Sequence, residues 1–203
     1  EDIMRDVDRI KTKQKKKDLI TPEEMEACRE TLKDSREKAL FELMISTGMR
    51  VGEIAKLRIE DIDFQQRKVS IHGEKTENAE REGYLSIRAR NALRKYTGSR
   101  TEGYVFLPLR NVLKDSQAVS NGTIEDIAKE IGKRAGVHCK TTVHIYRKTF
   151  ASETYRRTGN IKLVSILLGH ASTAITEKYY LFEDMKAIDF EGLFVACVGY
   201  GGY

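Results

Sequence analysis

Between Thr141 and Leu181 the chain reads TTVHIYRKTFASETYRRTGNIKLVSILLGHASTAITEKYYL, and His144, Arg147, His170 and Tyr179 within it are residue types that handle a phosphodiester. A guanidinium donates two parallel hydrogen bonds to a phosphate, and an imidazole adds a third. A tyrosine hydroxyl, with an ordinary pKa of about 10, becomes a nucleophile in a cationic, activating setting. His144 and Arg147 are three residues apart, so on a helix they share a face while Tyr146 points elsewhere. His170 directly follows Gly169, which closes an apolar helical run, so it can be aimed independently of that helix. Arg50 lies far upstream, just past Gly48 and at the start of VGEIAKL. There it is held near the free N–H groups of a helix amino terminus, a good place to grip an anion. Each signal is weak alone. H-x-x-R arises by chance in many helices, a surface arginine needs no special role, and a Tyr179–Tyr180 pair is ordinarily core or interface.

The elements that must position these groups are read from caps and periodicity. TPEEMEACRETL starts a helix, with Thr21 as cap, Pro22 in the first turn and Glu24 completing a capping box. A second helix runs from about Asp34 to Thr47, with Ala39, Leu40, Leu43 and Met44 at helical spacing and Gly48 as a left-handed cap. DIDFQQRKVSI and REGYLSI then alternate apolar with polar around the turn HGEKTENAE, which predicts a small antiparallel sheet of two or three strands. Lys75 lies in that turn. Helical spacing returns near Ala89 to Tyr96, and YVFLPL reads as a short buried extended piece. Ser120 to Ala135 is helical up to Gly136, Val143 to Thr158 up to Gly159, and Asn160 caps IKLVSILL. A last helix is expected to carry Tyr179. The fold class that follows is mainly α, or α+β, with one small antiparallel sheet.

Composition sets the bounds. The 203 residues are 40% hydrophobic and 33% charged, enough for one ordinary domain with a charged surface. A net charge of +5 permits a polyanionic partner without requiring one. Cys28, Cys139 and Cys197 are odd in number and lack metal-ligand spacing, which points to reduced, intracellular thiols. No apolar run approaches the roughly 18 residues of a membrane span, and the start EDIMRDVDRI lacks a signal-peptide core. Residues 1–20 are expected to be a basic interdomain linker or arm, with Lys11, Lys13, Lys15, Lys16 and Lys17 close to DNA if the rest of the chain binds it. A first residue of Glu1 suggests a piece of a longer protein.

In order along the chain, TGMRVGEIAKL, G-x-K in a hairpin, H-x-x-R, LLGH and a tyrosine nine residues on resemble the tyrosine recombinase (phage integrase) family, which includes the Xer and Cre recombinases. The resemblance spans roughly residues 19 to 186 and implies that family's helical catalytic domain, here placed at 21–186. It implies a catalytic set of Arg50, Lys75, His144, Arg147, His170 and Tyr179, with Glu53 orienting the active-site arginine from behind. The family's G-K-G-x-K-x-R stretch is altered here to GEKTENAERE. The implied reaction is attack of Tyr179 on DNA phosphorus, with His144 accepting or steering its proton, Lys75 protonating the 5′-oxygen and His170 bonding a non-bridging oxygen. It is expected to need no cofactor, neither metal nor ATP. The implied partners are double-stranded DNA and three further copies in a tetramer, with no membrane, in a cytoplasmic, nucleoid-associated location. The tail 187–203, IDFEGLFVACVGYGGY with its preceding residue, is apolar enough to dock on a neighbouring copy or on its own domain. Alternatives are a type IB topoisomerase that relaxes DNA and a DNA-binding module without catalysis.

Overall fold

In the computed structural model the described residues are 19–73, 80–108 and 118–170. Helix α1 (Pro22–Glu30) starts as its capping box dictates: Thr21 Oγ1 accepts from Glu24 N at 3.3 Å, and Glu24 Oε2 accepts from Thr21 N at 2.9 Å. Helix α2 (Ser35–Thr47) is the hub, capped by Asp34 and running buried from Ala39 through Met44 between its neighbours. Glu42 carries a charge into that buried run, and Arg29 Nε satisfies it at 2.8 Å.

Gly48 ends α2 with φ +59°, a left-handed turn that favours glycine. It must be glycine for a second reason. A Cβ there would stand 2.4 Å from the Phe150 ring. The turn therefore presses onto the helix that carries Arg147, and it launches α3 (Val51–Lys56) directly after Arg50.

The stretch DIDFQQRKVSI supplies two strands, β1 (Ile62–Asp63) and β2 (Lys68–Ile71), and β3 (Arg81–Tyr84) completes an antiparallel sheet of order β1-β2-β3. Asp63 Oδ1 accepts from the N–H groups of Gln65 and Gln66, folding the chain back between β1 and β2. REGYLSI stays extended for four residues only, because the Ser86 hydroxyl caps α4 (Ile87–Thr97) through Ala89 N. The expected extended piece is reduced to one bridge, Tyr104 with Arg58; the chain bends at the buried Val105 and Phe106, with Val105 N bonded to Leu57 O at 2.8 Å.

Helices α5 (Asn121–Ala135), α6 (Val143–Thr158) and α7 (Ile161–Leu168) follow, capped by Ser120, Thr142 and Asn160 and closed by Gly136, Gly159 and Gly169. Helix α2 packs on α4 and on α6, and α6 packs on α7. Tyr146 of α6 is fully buried and meets Phe41 of α2 edge-on at 5.6 Å. Such a pair adds about 0.5–1.5 kcal/mol beyond its area. A smaller apolar cluster of Ala151, Val164 and Leu168 fixes α7 against α6. The mainly helical fold with one small antiparallel sheet is the expected one. Among the described residues no helix is long and apolar enough to cross a membrane.

Candidate active site

The carboxyl end of α7 leaves its last carbonyls without helical partners, and the negative end of a helix dipole favours cations. Three arginines from three different elements meet those carbonyls. Arg81 Nε donates to Leu167 O at 2.9 Å, Arg147 Nη2 to Leu168 O at 2.6 Å, and Arg50 Nη2 to Gly169 O at 3.4 Å. Three consecutive residues thus gather guanidiniums separated by as many as 97 positions along the chain.

Arg147 is the most constrained of them. Its Nη1 also donates to Gly48 O at 2.6 Å, so one guanidinium bridges the end of α2 and the end of α7. Only 6% of the residue is exposed. His144, three residues earlier and near the start of α6, is exposed. Partial withdrawal from water, then the charges of Lys148 and Arg147, hold its pKa below the ordinary imidazole value.

Arg50 precedes α3 with extended backbone, and Glu53 reaches back to it from the first helical turn. Glu53 Oε2 accepts from Arg50 N at 2.7 Å and Glu53 Oε1 from Arg50 Nη1 at 2.9 Å. These two bonds hold the backbone and the guanidinium of Arg50 against the first turn of α3. The sequence reading omitted Arg81, which holds Glu53 from the other side with Nη1 at 2.8 Å and Nη2 at 2.7 Å. The hairpin stretch GEKTENAERE contains that arginine six residues after Lys75. Burial would raise the Glu53 carboxyl; hydrogen bonds and charge from Arg81, then from Arg50, outweigh it and hold the pKa below the carboxylate norm. Two guanidiniums share one carboxylate and a third is held by carbonyls, so the cluster remains positively charged.

Gly169, at φ +62°, turns the chain so that His170 stands beside Arg147, with His170 Nε2 3.3 Å from Arg147 Nη2. A guanidinium has no lone pair to give, so Nε2 accepts and the ring proton sits on Nδ1. Burial, then the charges of Arg147, Arg50 and Arg81, push the His170 pKa down to about 4. His170 is therefore neutral at physiological pH. Below pH 6.5 the unfolded chain takes up a proton here that the folded chain refuses until about pH 4, so this residue's contribution to stability falls as pH drops through that window. An NMR titration of the His170 ring is expected to give a midpoint near 4. A midpoint at the ordinary value would mean that the three arginines do not surround it.

The structure thus brings together Arg50, Glu53, Arg147 and His170, places His144 on the same helix as Arg147, and adds Arg81. Lys75, Tyr179, the lysines Lys11, Lys13, Lys15, Lys16 and Lys17, the expected last helix and the tail 187–203 lie outside the described residues.

A model of the Phage integrase family matches residues 18–186. Tyrosine recombinase XerA of Pyrococcus furiosus is 32% identical over 162 residues, covering 79% of this chain and 56% of that protein. Tyrosine recombinase XerC of Thermodesulfovibrio yellowstonii is 30% identical over 155 residues, covering 71% of this chain and 49% of that protein. The chain spans about half the length of the curated relatives it matches. A crystal structure of XerA recombinase superposes with a TM-score of 0.72 at 30% identity, over 82% of this chain and 59% of that one. The XerH site-specific recombinase bound to difH substrate, in a pre-cleavage complex, shares the fold with a TM-score of 0.64 at 20% identity, over 77% of this chain and 47% of that one.

Proposed function

Because the chain belongs to the phage integrase family, we propose that it is the catalytic domain of a site-specific DNA recombinase that cuts and rejoins strands through a 3′-phosphotyrosyl intermediate. The observation that carries this reading is the meeting of Arg50, Arg147 and neutral His170 at the end of α7. A scissile phosphodiester is anionic and gains charge on its phosphoryl oxygens in the transition state, and preorganised donors aimed at those oxygens are often the largest catalytic contribution. Arg50 and Arg147 supply charge there, and His170 supplies an uncharged N–H donor.

Tyr179 is the nucleophile in this reading. Its phenolic oxygen bonds to phosphorus as the bond to the 5′-oxygen breaks, leaving a 3′-phosphotyrosine and a 5′-hydroxyl. His144, below the ordinary imidazole pKa and so unprotonated at neutral pH, is free to take the phenolic proton. Lys75 gives a proton to the departing 5′-oxygen. The reverse steps, with the 5′-hydroxyl of another strand attacking, reseal the DNA. The phosphotyrosyl link conserves the energy of the broken bond, so the chemistry needs no ATP. Exchange between two duplexes requires four strand cleavages and hence four tyrosines, which is the reason to expect a homotetramer on DNA. The linker lysines Lys11 to Lys17 would add non-specific phosphate contacts, and the protein would act wherever its DNA resides.

The test is covalent capture. The chain is mixed with nicked duplexes of randomised sequence, in which the strand beyond the cut diffuses away and traps the intermediate. Denaturing gels should show a DNA adduct, and peptide mapping should place it on Tyr179. DNA bound but never captured would leave a binding module. Relaxation of supercoiled plasmids at arbitrary sites, with no recombinants, would reassign the chain to topoisomerase chemistry.

A further inference from the structure

We propose that Arg81 is a positioning residue of this phosphoryl-transfer site: buried away from the reacting phosphate, it holds Arg50 through Glu53 and His170 through the carboxyl end of α7. The inference rests on the recombinase reading for the reaction it serves, but its geometric half stands without it.

The position of the side chain decides between touching DNA and bracing the groups that do. The Arg81 side chain is 5% exposed, whereas that of Arg50 is 46% exposed. Arg81 spends its donors inward. Two go to the two oxygens of Glu53 and a third to Leu167 O. Arg50 spends one side-chain donor on Glu53 and a longer one, at 3.4 Å, on Gly169 O, and leaves nearly half of its side chain exposed.

Charge balance gives the brace its purpose. Glu53 paired with Arg50 alone would form a neutral couple with little net charge to offer a phosphate. With Arg81 in place the three groups carry one net positive charge, and the exposed end of that charge is Arg50. Arg81 also relieves Arg50 of compensating a buried carboxylate by itself, a task that would draw the guanidinium inward.

The second connection runs to the histidine. Arg81 grips Leu167 O, Arg147 grips Leu168 O, and Gly169 then turns the chain into His170. The fit is close: a Cβ added at Gly169 would stand 3.0 Å from Arg81 Cδ and 3.1 Å from its Nη1. Moving Arg81 therefore moves the platform on which His170 and Arg147 are aligned. Arg81 opens β3, so the same side chain ties the sheet to the end of α7.

Arg81→Lys is the informative variant, because it keeps a counter-charge beside Glu53 and so favours folding, yet cannot bridge both carboxylate oxygens and reach Leu167 O. At saturating concentrations of a duplex selected by the wild-type chain, adduct formation is expected to slow by about 10- to 100-fold, the scale on which misplaced catalytic groups lose rate. DNA affinity is expected to change little. In an Arg50→Ala background the same Arg81→Lys change should cost much less, since Arg81 acts in part through Arg50. Wild-type rates, a loss of affinity in place of rate, or an equal loss in both backgrounds would overturn the proposal. A second readout needs no cleavage. The Arg50 Nε–H resonance of the free chain should be sharp in the wild type and broadened in Arg81→Lys. If the wild type never captures DNA but this resonance broadens, the recombinase reading fails and the positioning stands; an unchanged resonance overturns the positioning itself.

Discussion

Tyr179→Phe should bind DNA as the wild-type chain does and form no covalent adduct, while Tyr180→Phe should still be captured. Phenylalanine keeps the aromatic ring and removes only the oxygen that the proposed reaction uses to attack phosphorus. Loss of the nucleophile in an enzyme that works through a covalent intermediate costs on the order of 10⁴-fold or more. The adduct band should accordingly vanish. In the proposed reading binding rests on phosphate contacts made by Arg50, Arg147 and lysines, none of which the change touches, so gel shifts should persist and should weaken steeply with added salt. The two tyrosines are adjacent in ITEKYY. On the last helix that the sequence predicts, neighbouring residues would point about 100° apart, so only one of the two would face the phosphate. The opposite pattern, with Tyr180→Phe inactive and Tyr179→Phe captured, would move the nucleophile by one position. Indifference of DNA binding to salt would undermine the whole phosphate-based account.

Much of this fold was legible because local chemistry and global packing agree. Thr21, Asp34, Ser120 and Asn160 were read as caps or helix starts, and the structure uses each of them to start a helix. Gly48, Gly136, Gly159 and Gly169 were read as stops, and each has the positive φ that makes it one. Strand length was harder to read. REGYLSI has the right alternation throughout, but Ser86 is also a good helix cap, and capping wins where the two compete. The site was legible only as a set of side chains. Motifs name donors such as Arg50 and Arg147 without naming the backbone carbonyls that hold them, since any residue offers a carbonyl. Only folding reveals that Gly48, Leu167, Leu168 and Gly169 present the relevant ones. The role of Arg81 is hidden for the same reason: the hairpin stretch shows the arginine, but its partners lie 28 and 86 residues away and nothing in its own neighbourhood announces them.

The tethering of Arg147 by carbonyls leads to the second large effect. Arg147→Ala should lose both catalysis and stability, and the two losses should be separable. Removing one preorganised donor from a developing oxyanion costs about 10²–10³-fold in rate. Gly48 O and Leu168 O would at the same time lose a charged donor at a buried position, and stranding a buried acceptor costs about 1–3 kcal/mol. For a domain of this size each kcal/mol lowers the melting temperature by roughly 2–4 °C, so a clear drop is expected. Arg147→Lys isolates the geometry. It retains the positive charge, but a single ammonium cannot span from the end of α2 to the end of α7 as the guanidinium does. It should therefore recover part of the DNA affinity and little of the cleavage rate, with the melting temperature between those of wild type and alanine. Were Arg147 only a phosphate contact, lysine would restore both affinity and rate, and alanine would leave the melting temperature unchanged. The bridge between Gly48 O and Leu168 O predicts otherwise: the residue proposed to stabilise the transition state also holds together the two elements that present Arg50 and His170, so it cannot be replaced by charge alone.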